Sequence, residues 1–220
     1  MFKGHIVFDF DGTLFGNTPG ILKGWRKVLS ELLGREVTMQ EIVAKSCPDP
    51  VRFLSAFDLD HNKEELQHYL SQRWPEIYSS QEFGEEIFDG ITELLEKLEQ
   101  LNYGLYIWSA GYKKAILETL KRYNISQYFI EVKALEDGFS KPHPQQLYDM
   151  LGEVDKKHVI VIGDSYTDIT GAFNYGCPSI AALWNDREKH KQLAQCGAQY
   201  FAHHPEECLD IIENYFETLR

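Results

Sequence analysis

Cysteine is scarce in this 220-residue chain: only Cys47, Cys177, Cys196 and Cys208 are present. No Cys-x-x-Cys occurs and no histidine stands near them at zinc spacing, which argues against a zinc module. Reduced cysteines packed as small apolar groups are expected instead, in a cytoplasmic setting. Long apolar runs are missing too, and no stretch approaches the roughly 20 residues that span a bilayer. The first residues enter a strand pattern at once, leaving no room for a secretory leader. Positive charge is in deficit, with 22 Lys and Arg against 34 Asp and Glu and a formal net charge of −12. Nucleic acid and anionic membrane are therefore disfavoured as partners. Small anionic substrates stay open, because a local cation and a lysine reverse the field inside a cleft. There is no internal repeat and no low-complexity linker.

Hydrophobic residues make up 43% of the chain. That is enough for a well-buried core, in one large domain or two modest ones. The most informative stretch is Asp9-Phe10-Asp11-Gly12-Thr13-Leu14, directly after the apolar run Ile6-Val7-Phe8. Strand alternation puts Asp9 and Asp11 on one side and Phe10 on the other. Two acids at the mouth of a core repel each other unless a cation or a shared proton relieves them.

Three further polar segments lie downstream: Ser109 after Leu105-Tyr106-Ile107-Trp108, Lys141 in Ser140-Lys141-Pro142-His143-Pro144, and Gly163-Asp164-Ser165-Tyr166-Thr167-Asp168 after Val159-Ile160-Val161-Ile162. In this order they resemble the four motifs of the haloacid dehalogenase superfamily, most of whose members are magnesium-dependent phosphatases. The likeness covers nearly the whole chain, and the layout is most similar to the phosphoglycolate phosphatase branch.

The period of the apolar residues gives the organisation. Ile21, Trp25, Val28, Leu29, Leu32 and Leu33 share one helical face, with Gly34 as a stop. Thr38-x-x-Glu41 reads as a capping box, residues 51–57 as a short helix, and Asn62 with Glu65 as the cap of a further helix that Pro75 bends or ends. Residues from about 16 to 84 thus read as helix with no convincing strand. After them, strands over 105–108, 130–134, 159–162 and 179–183 alternate with helices over 91–101, 115–123, 146–151 and 169–175. Two closing helices are expected over 187–194 and 205–219. Alternation of this kind implies a doubly wound parallel α/β sheet. The expected division is a core of residues 1–15 and 85–220 with an all-helical cap of residues 16–84 inserted after the first strand.

The resemblance implies roles. Asp9 is the nucleophile that forms an aspartyl-phosphate, and Asp11 is the general acid and base. Asp9, the Asp11 carbonyl and Asp164 hold Mg²⁺. Lys141, Ser109 and the N–H of Ala110, at an expected helix start, bind the phosphoryl oxygens beside Gly111. Gly12 allows the sharp turn and Thr13 orients Asp11 or the loop. Dehalogenases of the family lack an acid at the position of Asp11, so phosphate chemistry is favoured. Asp168 is read as touching the cation through water or orienting Lys141, with an early-turn helix acid as the structural alternative. Where capped relatives often carry an aspartate, this chain has Gly16-Asn17, and Asn17 reads as a helix cap. Arg52, His143, Lys113, Lys114, Tyr112 and Tyr166 are weaker candidates, and His203-His204 reads as a surface turn.

The implied function is hydrolysis of a small organic phosphomonoester by a monomer or homodimer. The alternatives are a phosphomutase resembling β-phosphoglucomutase and a non-catalytic binder of phosphorylated metabolites.

Overall fold

The apolar run that precedes Asp9 builds the central strand of the protein. In the computed structural model, which describes residues 2–16, 18–80, 86–186 and 189–219, strand β1 (His5–Phe8) pairs in parallel with β4 (Gly104–Trp108) on one side and β6 (Val159–Gly163) on the other. Beyond β4 lies β5 (Phe129–Lys133), and beyond β6 lie β7 (Ser179–Ala182) and β8 (Tyr200–Ala202). The six-stranded order is β5-β4-β1-β6-β7-β8, and every pairing in it is parallel. The chain steps outward from β1 in one direction and then in the other. The reversal opens a crevice beyond the carboxyl ends of β1 and its neighbours, where open α/β sheets bind ligands.

Alternate residues of each strand feed opposite faces. Ile6 and Phe8, Leu105 and Ile107, and Ile160 and Ile162 join one buried cluster with α5 (Ile91–Gln100), α6 (Lys113–Arg122) and α10 (Glu207–Glu217). Val7, Tyr106, Trp108, Val159 and Val161 pack on the other face against α7 (Gln145–Leu151) and α8 (Tyr166–Tyr175). On that same face Ala181, Ile169 and Leu193 of α9 (His190–Gln195) complete the layer. The doubly wound parallel architecture is therefore as expected. β8 was not foreseen, because three residues at a sheet edge carry too little pattern.

The helices between β1 and β4 are α1 (Thr18–Leu33), α2 (Met39–Lys45), α3 (Pro50–Ser55) and α4 (Glu64–Ser79), followed by α5. Gly34 takes φ +62 just past α1, a left-handed stop that costs glycine little. Thr38 and Glu41 form the expected capping box of α2. One expectation for α4 fails. Its cap is Lys63 without a side-chain bond, because Asn62 is held in a local turn in which Asp60 accepts from its backbone and side-chain amides. Of the two readings for Pro75, ending the helix is excluded: α4 runs on to Ser79, with Trp74, Ile77 and Tyr78 buried on its inner side.

A short ribbon was also missed. β2 (Phe15–Gly16) pairs antiparallel with β3 (Glu86–Ile87), where the chain leaves for the helices and where it returns. The buried cluster of the first sheet face continues through Phe10, Phe15 and Tyr78 into Leu29, Ile42, Leu54 and Leu70 of α1–α4. Asn17, Arg187 and part of the expected boundary near 83–88 lie outside the described residues.

Candidate active site

Each strand end turns polar where its backbone ladder runs out. The Asp9 N–H still donates to the Ile162 carbonyl at 2.8 Å, and the Ser109 N–H to the Lys133 carbonyl at 2.9 Å. Asp164 follows β6 directly. Lys141 lies between β5 and α7, joined to Pro142 by a cis peptide. Residues far apart in sequence thus meet in one crevice.

Lys141 is the centre of the floor. Its Nζ donates to Asp9 Oδ1 and to Asp168 Oδ1, both at 2.6 Å, and its side chain is 2% exposed. The Trp108 ring lies 5.0 Å below the same ammonium. Trp108 is held in turn by Gln146, which accepts from the indole N–H and donates to the Ala134 carbonyl, each at 2.8 Å. Asp168 Oδ2 accepts from the Ser165 N–H and hydroxyl, closing a capping box on α8. Asp168 thus bonds both Lys141 and the first turn of its own helix.

Asp9, Asp164 and Asp168 each offer a carboxylate oxygen within 4.8 Å of the others. Asp164 Oδ2 accepts from Lys189 Nζ at 2.6 Å and from Asn185 at 3.4 Å. Gly12 has φ +90, and a Cβ there would stand 2.5 Å from Asp164 Oδ2. The loop therefore closes on the carboxylate only with glycine.

Burial pushes the Asp9 carboxyl well up, Asp168 and Asp164 add to the shift, and Lys141 opposes it. Asp164 is raised mainly by burial, against Lys189. Burial pulls the Lys141 ammonium down, but Asp168 and Asp9 outweigh it and leave it raised. Asp11 stands at the lip of the cleft, pushed up to about 6 by burial against a bond from Tyr78. That bond runs from the Tyr78 hydroxyl to Asp11 Oδ1 at 2.8 Å and brings α4 directly onto the site.

Four carboxylates (Asp9, Asp11, Asp164 and Asp168) face two ammonium groups (Lys141 and Lys189) around a cavity of about 330 Å³. The excess of two formal negative charges, the all-oxygen donor set and the mutual repulsion at Asp9 and Asp164 suit a hard divalent cation. With both Asp168 oxygens already engaged, Asp9 and Asp164 are the better placed pair to hold it.

Not every expected residue reaches the cleft. Ala110 and Gly111 line it, but α6 begins only at Lys113, so the Ala110 N–H lies ahead of the helix start rather than at it. Ser109 is buried, and its hydroxyl accepts from the Gly111 N–H at 2.9 Å. Thr13 is fully buried with no partner for its hydroxyl among the described residues, while its carbonyl accepts from the Trp184 indole. Tyr112 lines the cavity. Arg52 is exposed outside it, and His143 stacks on the exposed Phe139. Lys113 pairs with Asp137, and Lys114 donates to Gln72. Sequence reasoning missed Tyr78, Lys189 and Asn185. Tyr78 reads as an apolar helix position, and Lys189 and Asn185 fall in a polar stretch with no motif.

A family profile described as haloacid dehalogenase-like hydrolase matches residues 6–182. The chain belongs to that family. Its members by this description are hydrolases, and the four segments read from the sequence are the ones that converge here. Among curated relatives, a Bacillus mycoides protein named pyrophosphatase PpaX is 24% identical over 184 residues, covering 81% of this chain and 83% of its own length. A Vibrio parahaemolyticus protein named phosphoglycolate phosphatase is 25% identical over 204 residues, with 81% and 83% covered. Among solved structures, a predicted phosphatase from Clostridium acetobutylicum superposes with TM-score 0.77 at 21% identity, covering 97% of this chain and all of its own. A hydrolase from Pseudomonas syringae gives 0.76 at 20%, covering 96% and 98%. These two likenesses bear on the fold.

Proposed function

We propose that this haloacid dehalogenase-like hydrolase is a magnesium-dependent phosphatase that acts on a small soluble phosphomonoester through an aspartyl-phosphate. The observation that carries the reading is the Lys141 ammonium held at 2.6 Å between Asp9 and Asp168, with Asp164 alongside and Asp11 above. The phosphatase names of the relatives support it.

An Asp9 carboxylate oxygen attacks phosphorus, and the bond from phosphorus to the ester oxygen breaks. The leaving oxygen takes the Asp11 proton, for which burial at about 6 keeps a protonated fraction near neutral pH. Water then attacks the aspartyl-phosphate and gives its proton to Asp11, which releases inorganic phosphate and restores both acids. Lys141 neutralises phosphoryl oxygens throughout, and the backbone N–H of Ala110 offers a hydrogen bond to them. Magnesium, held by Asp9, the Asp11 carbonyl and Asp164, supplies charge neutralisation and Lewis acidity at the phosphoryl group. Gly12 shapes the loop, Thr13 is buried within it, and the Ser109 hydroxyl, which accepts from the Gly111 N–H, has its own proton to donate to a phosphoryl oxygen.

In this reading residues 16–84 form a cap over a core of residues 1–15 and 85–220, and a closed cap excludes bulk water. The substrate is a phosphorylated metabolite small enough for the covered cavity. The four free thiols support a cytoplasmic placement. Among the described residues no helix is long and apolar enough to cross a membrane.

The test is hydrolysis of p-nitrophenyl phosphate. Activity is expected with magnesium, none after chelation, and recovery on adding the ion back. Asp9→Asn should lower turnover by roughly 10³-fold or more. Turnover that survives this substitution would reject Asp9 as nucleophile.

A further inference from the structure

The walls of the cavity differ from its floor. On the helical side it is lined chiefly by Ile21, Leu22 and Trp25 of α1, Phe53 of α3, and Trp74 and Tyr78 of α4, with uncharged residues 46–48 and Pro50 beside them. The rings touch one another. Trp25 meets Phe53 at 4.9 Å and Trp74 at 4.7 Å, both edge to face. Trp74 stacks with Tyr112 from the core at 6.4 Å. Trp74 Nε1 and Tyr112 Oη are inaccessible and without partners among the described residues, so these two residues present ring carbon to the cavity. The charged lining groups among the described residues are all on the floor or lip, the ammoniums being Lys141 and Lys189. Arg52, the nearest basic candidate on α3, is exposed outside the cavity.

Direction follows from Tyr78. Its hydroxyl holds Asp11, the acid that protonates the leaving oxygen, and Trp74 lies one turn earlier on the same face of α4. Whatever is bonded to that oxygen is therefore aimed at the aromatic wall. A carboxylate placed there would be desolvated with no cation to meet it, and so would the second phosphoryl group of pyrophosphate. A ring or a branched hydrocarbon would gain contact area and edge-to-face packing.

We infer that this site, granted the phosphatase reading above, selects phosphomonoesters whose leaving group is apolar and ring-bearing, over phosphoglycolate and pyrophosphate. Trp25, Phe53 and Trp74 are the specificity-determining wall.

The experiment compares kcat/KM for 2-phenylethyl phosphate and ethyl phosphate, whose alkoxides leave with similar ease, alongside phosphoglycolate and pyrophosphate. At least about a tenfold preference for the phenylethyl ester over ethyl phosphate is expected, since even small apolar increments in a pocket are worth that much. Phosphoglycolate and pyrophosphate should fall below the phenylethyl ester. Trp25→Ala should shrink the phenylethyl-to-ethyl ratio to within about threefold. Should that variant not fold, Leu22→Lys decides, because a cation in the wall should move preference toward phosphoglycolate. Several outcomes overturn the inference: a wild-type ratio near one, phosphoglycolate or pyrophosphate as the better substrate, or ratios unchanged in the folded variants. Hydrolysis of p-nitrophenyl phosphate without hydrolysis of the phenylethyl ester also overturns it, and leaves the phosphatase reading standing. Loss of activity on every ester, p-nitrophenyl phosphate included, rejects the phosphatase reading and the inference with it.

Discussion

The floor and the helical wall of the same cavity are held together by different forces. The floor is a lattice of charge-assisted bonds at 2.6 Å centred on Lys141, with buried acids that repel one another. The wall is rings in edge contact, continuous with the apolar interior of α1–α4. Removing one floor charge leaves its buried partners without a counter-ion. Removing one wall contact costs area and packing alone. The contrast separates what the phosphoryl group demands from what the rest of a substrate demands.

Lys141→Ala should break the floor most severely. Asp9 and Asp168 would lose their shared cation, at a cost of about 3–5 kcal/mol in stability by denaturant unfolding. Turnover of p-nitrophenyl phosphate should drop roughly 10²–10³-fold with it. Leu70→Ala, in the fully buried interior of α4, should cost a comparable 2–5 kcal/mol. Its turnover at 25 °C should nevertheless stay within about threefold of wild type, provided the variant is folded. Equal activity losses in the two variants would erase the distinction between floor and wall.

Asp11→Asn sharpens the comparison through pH. In the folded, ion-free protein burial pushes the Asp11 carboxyl up to about 6, from its ordinary 3.8. Between those two values the unfolded chain ionises first, so this group lowers stability as pH rises through the window, and the penalty stays constant above it. Asparagine carries no such penalty. The variant should therefore gain on wild type between pH 4 and 7, by up to about 3 kcal/mol, in unfolding experiments with chelator present. A difference that is flat with pH would mean that Asp11 is not held up in the folded state. The smallest effect belongs to Tyr78→Phe, which removes a hydrogen bond that joins wall to floor. Its loss should lower turnover about 3–10-fold and move the alkaline limb of the rate profile to higher pH, because the phenol bond favours the ionised carboxyl and Asp11 must be protonated to serve the leaving oxygen.

The floor was largely legible in the sequence, and the wall was not. Asp9, Ser109 and Asp164 stand immediately after apolar strand runs, where a polar residue interrupts a pattern that would otherwise stay buried. Lys141 was marked by Ser140 and Pro142 on either side. The parallel order followed from strands alternating with helices. Trp25, Phe53, Trp74 and Tyr78 carry no such mark. They fall at the three- and four-residue spacing of any buried helix face, and whether such a face meets a neighbour or a cavity is decided by tertiary placement. Asn185 just after β7 and Lys189 at the N-cap of α9 reach Asp164 from positions that no motif marks. Asn62 failed as a cap because Asp60 competes for its amides, a choice between two local bonds that spacing alone does not rank.

The paired strands β2 and β3 tie the outgoing and returning backbone to each other, Phe15 opposite Ile87 and Gly16 opposite Glu86. A swing of α1–α4 over the crevice cannot turn about one crossing while the other stays still. Any such swing flexes both crossings together, because they are hydrogen-bonded as one ribbon. Because Phe15 stacks on Phe10, one residue from Asp9 and from Asp11, that flexing is felt next to the reacting acids.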